Sequence, residues 1–216
     1  EFKKDTLLKN RIGFSLTKGQ SNAVSDISND LRRGVPMLRL LQGDVGSGKT
    51  AVAAMAASIL IEEGYKVVIM APTELLVDQH YKTFSAWFPD LEVILLTGKL
   101  GERERNLVKR KITDERPSIV IGTHAVFQKD VVYTKLGLII VDEQHRFGVG
   151  QRLALNQKGD SRELKAHQLI MTATPIPRTL AMAAYADLDI STIKDLPPGR
   201  SPVTTAVIPE ERRKEV

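Results

Sequence analysis

Residues 43–50 have the glycine spacing and the polar end that a nucleotide phosphate site requires. In the pattern Gly43-x-x-x-x-Gly48-Lys49-Thr50, glycines let the backbone curl so that successive N–H groups face phosphate oxygens. Lys49 can reach the β- and γ-phosphates, and the Thr50 hydroxyl can bind Mg²⁺. The alternative is a glycine-rich turn with a solvated lysine. We predict an ATP–Mg²⁺ site formed by Gly43, Asp44, Val45, Gly46, Ser47, Gly48, Lys49 and Thr50.

Two carboxylates, Asp142 and Glu143, follow the apolar run of residues 138–141. A phosphate site of this kind needs a carboxylate for the metal and a group that orients the attacking water. We expect Asp142 to hold Mg²⁺ through water and Glu143 to act as the general base. The alternative is a solvated acidic pair at a helix N-terminus, which the helix dipole favours.

Phe14 and Gln20 precede the phosphate loop. A glutamine amide offers a donor and an acceptor to the N6/N7 edge of adenine, and an aromatic ring can stack on the base. We therefore predict that both residues contact the adenine, although Phe14 is equally compatible with a core position.

The elements that must position these residues alternate along the chain. Several of the apolar runs are unbroken, which is typical of strands buried on both faces of a parallel sheet. The predicted strands are residues 37–41, Lys66–Met70, 93–96, 119–121, 138–141 and 168–171, and the predicted helices are residues 50–63, Glu74–Trp87 and 101–114. This alternation predicts an α/β fold with a mostly parallel sheet and helices on both faces. Polar residues follow each strand, at the edge where such sheets bind ligands.

Composition narrows the function classes. The formal net charge of +5 suits a polyanionic partner, or simply a basic, solvated surface. The absence of cysteine excludes disulfides and Cys-based zinc sites and fits a reducing cytoplasm. No apolar stretch approaches the roughly 20 residues of a membrane helix. The charged first ten residues lack the apolar run of a signal peptide.

The motifs occur in an order that resembles superfamily 2 helicases. The match runs through a glutamine motif at Gln20, motif I at residues 43–50, motif Ia at Ala71-Pro72-Thr73-Glu74, motif Ib at Gly122-Thr123-His124, motif II at Asp142-Glu143-Gln144-His145 and motif III at Thr172-Ala173-Thr174.

Longer stretches resemble the bacterial RecG family. They are Val141-Asp142-Glu143-Gln144-His145-Arg146-Phe147-Gly148-Val149, Met171-Thr172-Ala173-Thr174-Pro175-Ile176-Pro177-Arg178-Thr179, Tyr185-Ala186-Asp187-Leu188-Asp189 and Leu196-Pro197-Pro198-Gly199-Arg200. The resemblance covers nearly the whole chain from about Leu16. It implies a RecA-like P-loop NTPase domain, the first motor domain of an ATP-dependent helicase or translocase. The resemblance also implies double-stranded or branched DNA as the partner, in fork and junction remodelling, recombination and repair. The alternative is a transcription-repair coupling translocase, which typically has Glu where this chain has Gln144.

The resemblance places the DNA track on the loops that carry motifs Ia and Ib. Contacts to phosphates position a duplex without reading its sequence, as a translocase requires. The candidate DNA-binding residues are Pro72, Thr73, Thr97, Gly98, Thr123 and His124. His124 is also compatible with a capping or core role.

Motif III is expected to couple hydrolysis to DNA. The hydroxyls of Thr172 and Thr174 would hydrogen-bond His145 and pass the state of the γ-phosphate to the DNA side.

The resemblance also implies three segments. Residues 1–35 are expected to be an N-terminal lead-in, residues 36–195 the motor domain, and residues 196–216 a linker into a second motor domain. Because the chain has no initiator Met, we expect it to be part of a longer chain that also has a wedge domain. The arginine finger would come from the second motor domain, so the chain alone should bind nucleotide and DNA but hydrolyse ATP poorly.

Two rival classes remain open at this stage. A P-loop kinase for a small molecule explains residues 43–50 and Asp142, but not the Thr172-Ala173-Thr174 stretch. A non-enzymatic P-loop module that docks a partner is the second.

Overall fold

The computed structural model describes residue 8 and residues 11–143, 166–174 and 188–195. The strands are β1 Leu38–Gly43, β2 Lys66–Met70, β3 Glu92–Leu96, β4 Ser118–Gly122, β5 Leu136–Asp142, β6 His167–Thr172 and β7 Asp189–Ile193. The helices are α1 Lys18–Leu31, α2 Lys49–Glu62, α3 Glu74–Trp87 and α4 Glu102–Thr113, with a 3-10 turn at His124–Phe127.

The seven strands of the described residues form one sheet in the order β3-β4-β2-β5-β6-β1-β7. All neighbouring strands pair in parallel. Their carboxyl ends therefore meet at one side of the sheet, which we call the carboxyl edge. The predicted parallel α/β fold is confirmed.

Helices cover both faces of the sheet. Val67 and Ile69 of β2 pack on one face in a core with α1, α2 and α3, whereas Val68 and Met70 pack on the other face in a core that includes Ile112 of α4. This alternation follows from the period of two along a strand. Because helices cover both faces, the central strands are apolar on both sides.

The central helix α2 is buried along almost its whole length, from Ala51 to Leu60. Its sequence is apolar all around, which is typical of a helix enclosed by other elements. Because α2 follows the phosphate loop directly, the most deeply buried of the described helices fixes the position of that loop.

Helix α1 is joined to the sheet by a network of charged and polar side chains. Arg39 of β1 donates from Nε to Asp30 Oδ2 (2.6 Å) and from Nη1 to Ser191 Oγ (2.9 Å). Ser191 in turn donates to Asp26 Oδ2 at 2.8 Å. The network links α1, β1 and β7, so helix α1 packs as part of this fold.

The predicted strands and helices are found at their expected positions, with α3 matching its predicted bounds. The helix α1 and the strand β7 are not among the elements predicted from the sequence. The expected linker at residues 196–216 lies outside the described residues. Within the described part, no helix is long and apolar enough to cross a membrane.

Candidate nucleotide-binding site

The phosphate loop connects the end of β1 to the start of α2. Gly46 and Gly48 have φ angles of 80° and 81°, in the left-handed region that favours glycine. Gly48 is the N-cap of α2, and no side chain of the described residues caps this helix. The first N–H groups of α2 and its positive end are therefore available to an anion, as the sequence pattern predicts.

Gly43 is required by close packing beneath the loop. A Cβ at this position would lie 2.6 Å from Ser47 Oγ and 3.1 Å from the Ile193 carbonyl oxygen. Ser47 Oγ is buried without a hydrogen-bond partner among the described residues. A buried hydroxyl under a loop of amides fits a site that takes a polar ligand.

Gln20 braces the loop from α1. Its side chain is only 2% exposed, its Nε2 donates to the Ser47 carbonyl oxygen (2.8 Å), and its Oε1 accepts from Thr17 N–H (2.9 Å). A Cβ on Gly48 would approach Gln20 Nε2 to 2.3 Å. The adenine contact stays a prediction, and it would have to use the second N–H and the second lone pair of this amide.

Phe14 lies on the surface, with 49% of its area exposed. This exposure argues against the alternative of a core position. The ring is accessible to a base, and its stacking on adenine stays a prediction.

Lys49 lies over the loop. Its Nζ donates to the carbonyl oxygens of Gly43 (2.6 Å) and Asp44 (3.1 Å). Burial lowers the pKa of Lys49, while the negative charges of Glu143, Asp142 and Asp44 partly offset this effect. Lys49 therefore lies within electrostatic reach of Asp142 and Glu143, although these residues are far from it in sequence.

Asp142 is the last residue of β5 and is 8% exposed. His80 Nε2 lies 2.8 Å from its Oδ2 atom. Because a carboxylate accepts hydrogen bonds, the ring nitrogen carries the hydrogen in this pair. The structure thus places Asp142 at the carboxyl edge with one oxygen already held by the protein.

Glu143 has a left-handed backbone, with φ at 53°. This conformation is unusual for a residue other than glycine and is often found at functional sites. Its N–H donates to the Met171 carbonyl oxygen (3.0 Å), and its Oε1 accepts from Ala173 N–H (3.3 Å). Glu143 is therefore bonded to Ala173 of motif III and to Met171, the residue that precedes this motif.

Within motif III, Thr172 and Thr174 contact each other. Their Oγ1 atoms lie 2.9 Å apart, and Thr174 N–H donates to Thr172 Oγ1 at 3.2 Å. His145 lies outside the described residues, so the predicted bond from these hydroxyls to His145 stays a prediction. The link between motifs II and III that the structure shows is from Ala173 to Glu143.

The residues present fit a magnesium ion. Thr50 and Asp142 offer oxygen ligands, which Mg²⁺ prefers, and Mg²⁺ sites on phosphates typically use one or two protein groups. In the described ranges, no group of three or more His, Cys, Asp or Glu side chains forms a metal cluster. A site completed by phosphate oxygens and water is consistent with this arrangement.

The loops predicted to contact DNA follow β2, β3 and β4, which are adjacent in the sheet. Thr73, Gly98 and His124 are exposed. Thr97 and Thr123 are each only 7% exposed. Pro72 is half-buried. The structure brings all six predicted residues to the carboxyl edge, but Thr97 and Thr123 are buried there and offer little surface for a phosphate contact.

Two site residues are missed by sequence reasoning. His80 contacts Asp142, and Asp195 Oδ2 accepts the Gly19 N–H at 2.5 Å, beside Gln20. For His80 a signal exists, because Val77, His80 and Phe84 have helical spacing and lie on the buried face of α3. For Asp195 no local signal exists, because its partner lies 176 positions away.

The parallel sheet, the phosphate loop at its carboxyl edge and the Asp142-Glu143 pair two strands away define a RecA-like P-loop NTPase domain. The chain belongs to the DEAD/DEAH box helicase family, whose model matches residues 17–183.

Individual relatives narrow the assignment further than the family model does. A Haemophilus influenzae protein named ATP-dependent DNA helicase RecG is 54% identical over 205 residues, covering 94% of this chain and 30% of that protein. The protein of the same name from Escherichia coli strain K12 is 53% identical over 215 residues, covering 97% and 31%. The chain thus spans about 30% of the length of these curated relatives. The predicted resemblance to RecG is confirmed.

Solved structures of helicases also match this chain. A structure of RecG bound to a three-way DNA junction matches with a TM-score of 0.82 and 40% identity, covering 97% of this chain and 28% of that one. The helicase Mss116p, solved with single-stranded RNA and AMP-PNP, matches with a TM-score of 0.69 at 20% identity, covering 89% and 43%. The second match shows the fold alone.

Proposed function

We propose that this chain is the ATP-binding motor unit of a DNA helicase or translocase that moves on double-stranded or branched DNA. The observation that carries the proposal is the shared carboxyl edge. The phosphate loop, Asp142 and Glu143 lie at the same edge as the exposed residues Thr73, Gly98 and His124. The names of the relatives, and the junction DNA in one solved RecG structure, support fork and junction remodelling as the setting.

Different residues of the chain bind the phosphates, hold the metal and act as the general base. The loop amides and Lys49 bind the phosphates of ATP, and Thr50 and Asp142 hold Mg²⁺. The metal, when bound, supplies positive charge that neutralises the developing charge on the phosphate oxygens. Glu143 accepts a proton from the attacking water, and the Ala173 N–H fixes its Oε1 atom.

The proposed activity also requires DNA and a second motor domain. Backbone groups of the loops after β2, β3 and β4 contact phosphates, which gives binding without sequence preference. A second motor domain supplies an arginine to the γ-phosphate, a contribution typically worth several powers of ten in rate. The chain by itself is therefore expected to bind ATP and to hydrolyse it slowly.

A chimera tests the DNA-dependent activity. This chain replaces the matched segment of the Escherichia coli relative, and ATP turnover is measured without DNA, with linear duplex and with a three-way junction. We expect turnover to rise on DNA, most on the junction, and to be lost in the Lys49→Ala chimera. A chimera that binds nucleotide but whose turnover does not respond to either DNA would contradict the proposal.

A further inference from the structure

His80 is a buried polar residue that the proposed mechanism does not yet use. It is 6% exposed, and its Nε2 atom lies 2.8 Å from Asp142 Oδ2. Sixty-two positions separate the two residues in sequence. A buried hydrogen bond between a ring and a carboxylate is costly to break, so this contact constrains both side chains.

Packing fixes the ring on α3. His80 lies on the buried face of the helix, where its ring meets Phe84 edge to face, with centroids 6.4 Å apart. The helix itself follows β2, which pairs with β5 so that Met70 lies opposite Val141. His80 can reach Asp142 because β2 and β5 are neighbours, and burial leaves its ring little freedom to turn away.

The contact occupies one of the two carboxylate oxygens of Asp142. Oδ2 accepts from His80, so a metal ion or its water would be bound through Oδ1. Carboxylates that bind metals are usually held by a hydrogen bond of this kind, which sets their orientation. The charge of Asp142 also acts on Lys49, so the held carboxylate lies within electrostatic reach of the phosphate loop.

We propose that His80 is a positioning residue for Asp142, holding its carboxylate in the orientation that binds the magnesium of the nucleotide. This inference rests on the proposed function. It also connects the site to the loop after β2, because Thr73 is the N-cap of α3 and its Oγ1 accepts the Leu76 N–H at 3.3 Å. One helix thus joins a loop proposed to contact DNA to the metal-holding residue.

Metal-dependent nucleotide binding tests the proposal without measuring activity. A fluorescent ATP analogue is titrated into the chain with excess Mg²⁺ and with EDTA, and the ratio of the two affinities is compared between variants. His80→Phe keeps an aromatic ring beside Phe84 but removes the donor. His80→Gln places an N–H near the position of Nε2. Tyr81→Phe, on the same helix, is the matched control.

We expect His80→Phe to reduce the magnesium-dependent gain in affinity by roughly tenfold or more, the usual cost of losing such a partner. Binding in EDTA should stay within about twofold of wild type, and His80→Gln should recover much of the gain. Equal losses with and without magnesium would leave the ratio unchanged, which would show a merely structural role and overturn the inference, as would no loss in either condition. If the wild-type chain binds no nucleotide in either condition, the proposed function fails together with it.

Discussion

Gln20 shows how a single side chain can hold the phosphate loop of the proposed nucleotide site. Its amide accepts from the N-cap of α1 and donates to the phosphate loop, with both bonds under 3 Å and almost no solvent exposure. The start of α1 and the curl of the loop are therefore set together. A loop held in this way loses less conformational entropy when a ligand binds, which raises affinity.

Removing the hydrogen bonds of Gln20 should weaken both stability and nucleotide binding. Gln20→Met keeps the side-chain length but leaves the Ser47 carbonyl and the Thr17 N–H without this partner. We expect a loss of about 1–3 kcal/mol in the free energy of unfolding, the usual cost of buried groups left unpaired. ATP affinity should fall by about tenfold, which corresponds to about 1.4 kcal/mol.

Urea denaturation and a fluorescent ATP titration measure the two effects. Gln79→Met, at an exposed position of α3, is the matched control and should leave both quantities unchanged. Wild-type ATP affinity in Gln20→Met would show that the brace does not organise the loop.

At the scale of elements, the start of β1 is joined to β6 by one side chain. Met37 N–H, just before β1, donates to His167 Nδ1 at 2.9 Å. This bond requires a ring nitrogen without a proton. Burial lowers the pKa of His167, and the charge of Asp30 only partly offsets that effect. The neutral ring that the hydrogen bond needs is therefore also the favoured form in the folded chain.

This lowered pKa predicts that acid weakens the fold through His167. Because the folded-state pKa lies below the unfolded value, the unfolded chain binds the proton more readily, and protons favour unfolding. The stabilisation is complete above the ordinary histidine pKa of about 6.5. It is lost as the pH falls through the lowered folded pKa. The loss should be about 0.5–1.5 kcal/mol, the typical worth of one hydrogen bond.

The measurement compares urea unfolding of wild type and His167→Asn at about pH 7.5 and about pH 5.5, on either side of the ordinary pKa. Asparagine keeps an acceptor for Met37 N–H but does not titrate. The variant should lose less stability on acidification than wild type. If both proteins lose the same amount, His167 does not contribute to the pH dependence.

At the scale of the whole molecule, the carboxyl edge brings together groups that lie far apart in sequence. The local motifs could be predicted because each carries its own chemistry within a few residues, as in residues 43–50 and the Asp142-Glu143 pair. The parallel sheet was also predictable from unbroken apolar runs such as β2 and β5. These features are enough to predict a nucleotide site at the carboxyl edge.

Contacts between distant segments could not be predicted, because they depend on strand order. His80 meets Asp142 only because β2 lies beside β5, and the sequence does not encode that order locally. The helix α1 was missed for a different reason. It contains Gly19 and several Ser, Asn and Asp residues of low helix propensity, and tertiary packing on α2 overrides that preference. The short strand β7 is held mainly by its pairing with β1.

The proposed motor function depends on the phosphate loop binding ATP–Mg²⁺ through Lys49. The most direct test is a titration of a fluorescent ATP analogue, with Mg²⁺ present, into wild type and Lys49→Ala, with Lys82→Ala on the surface of α3 as the control. We predict that Lys49→Ala alone weakens binding by roughly 1.5–3 kcal/mol, the scale of a charge-assisted hydrogen bond. Equal affinity of wild type and Lys49→Ala, or no binding by the folded wild-type chain, would contradict the account.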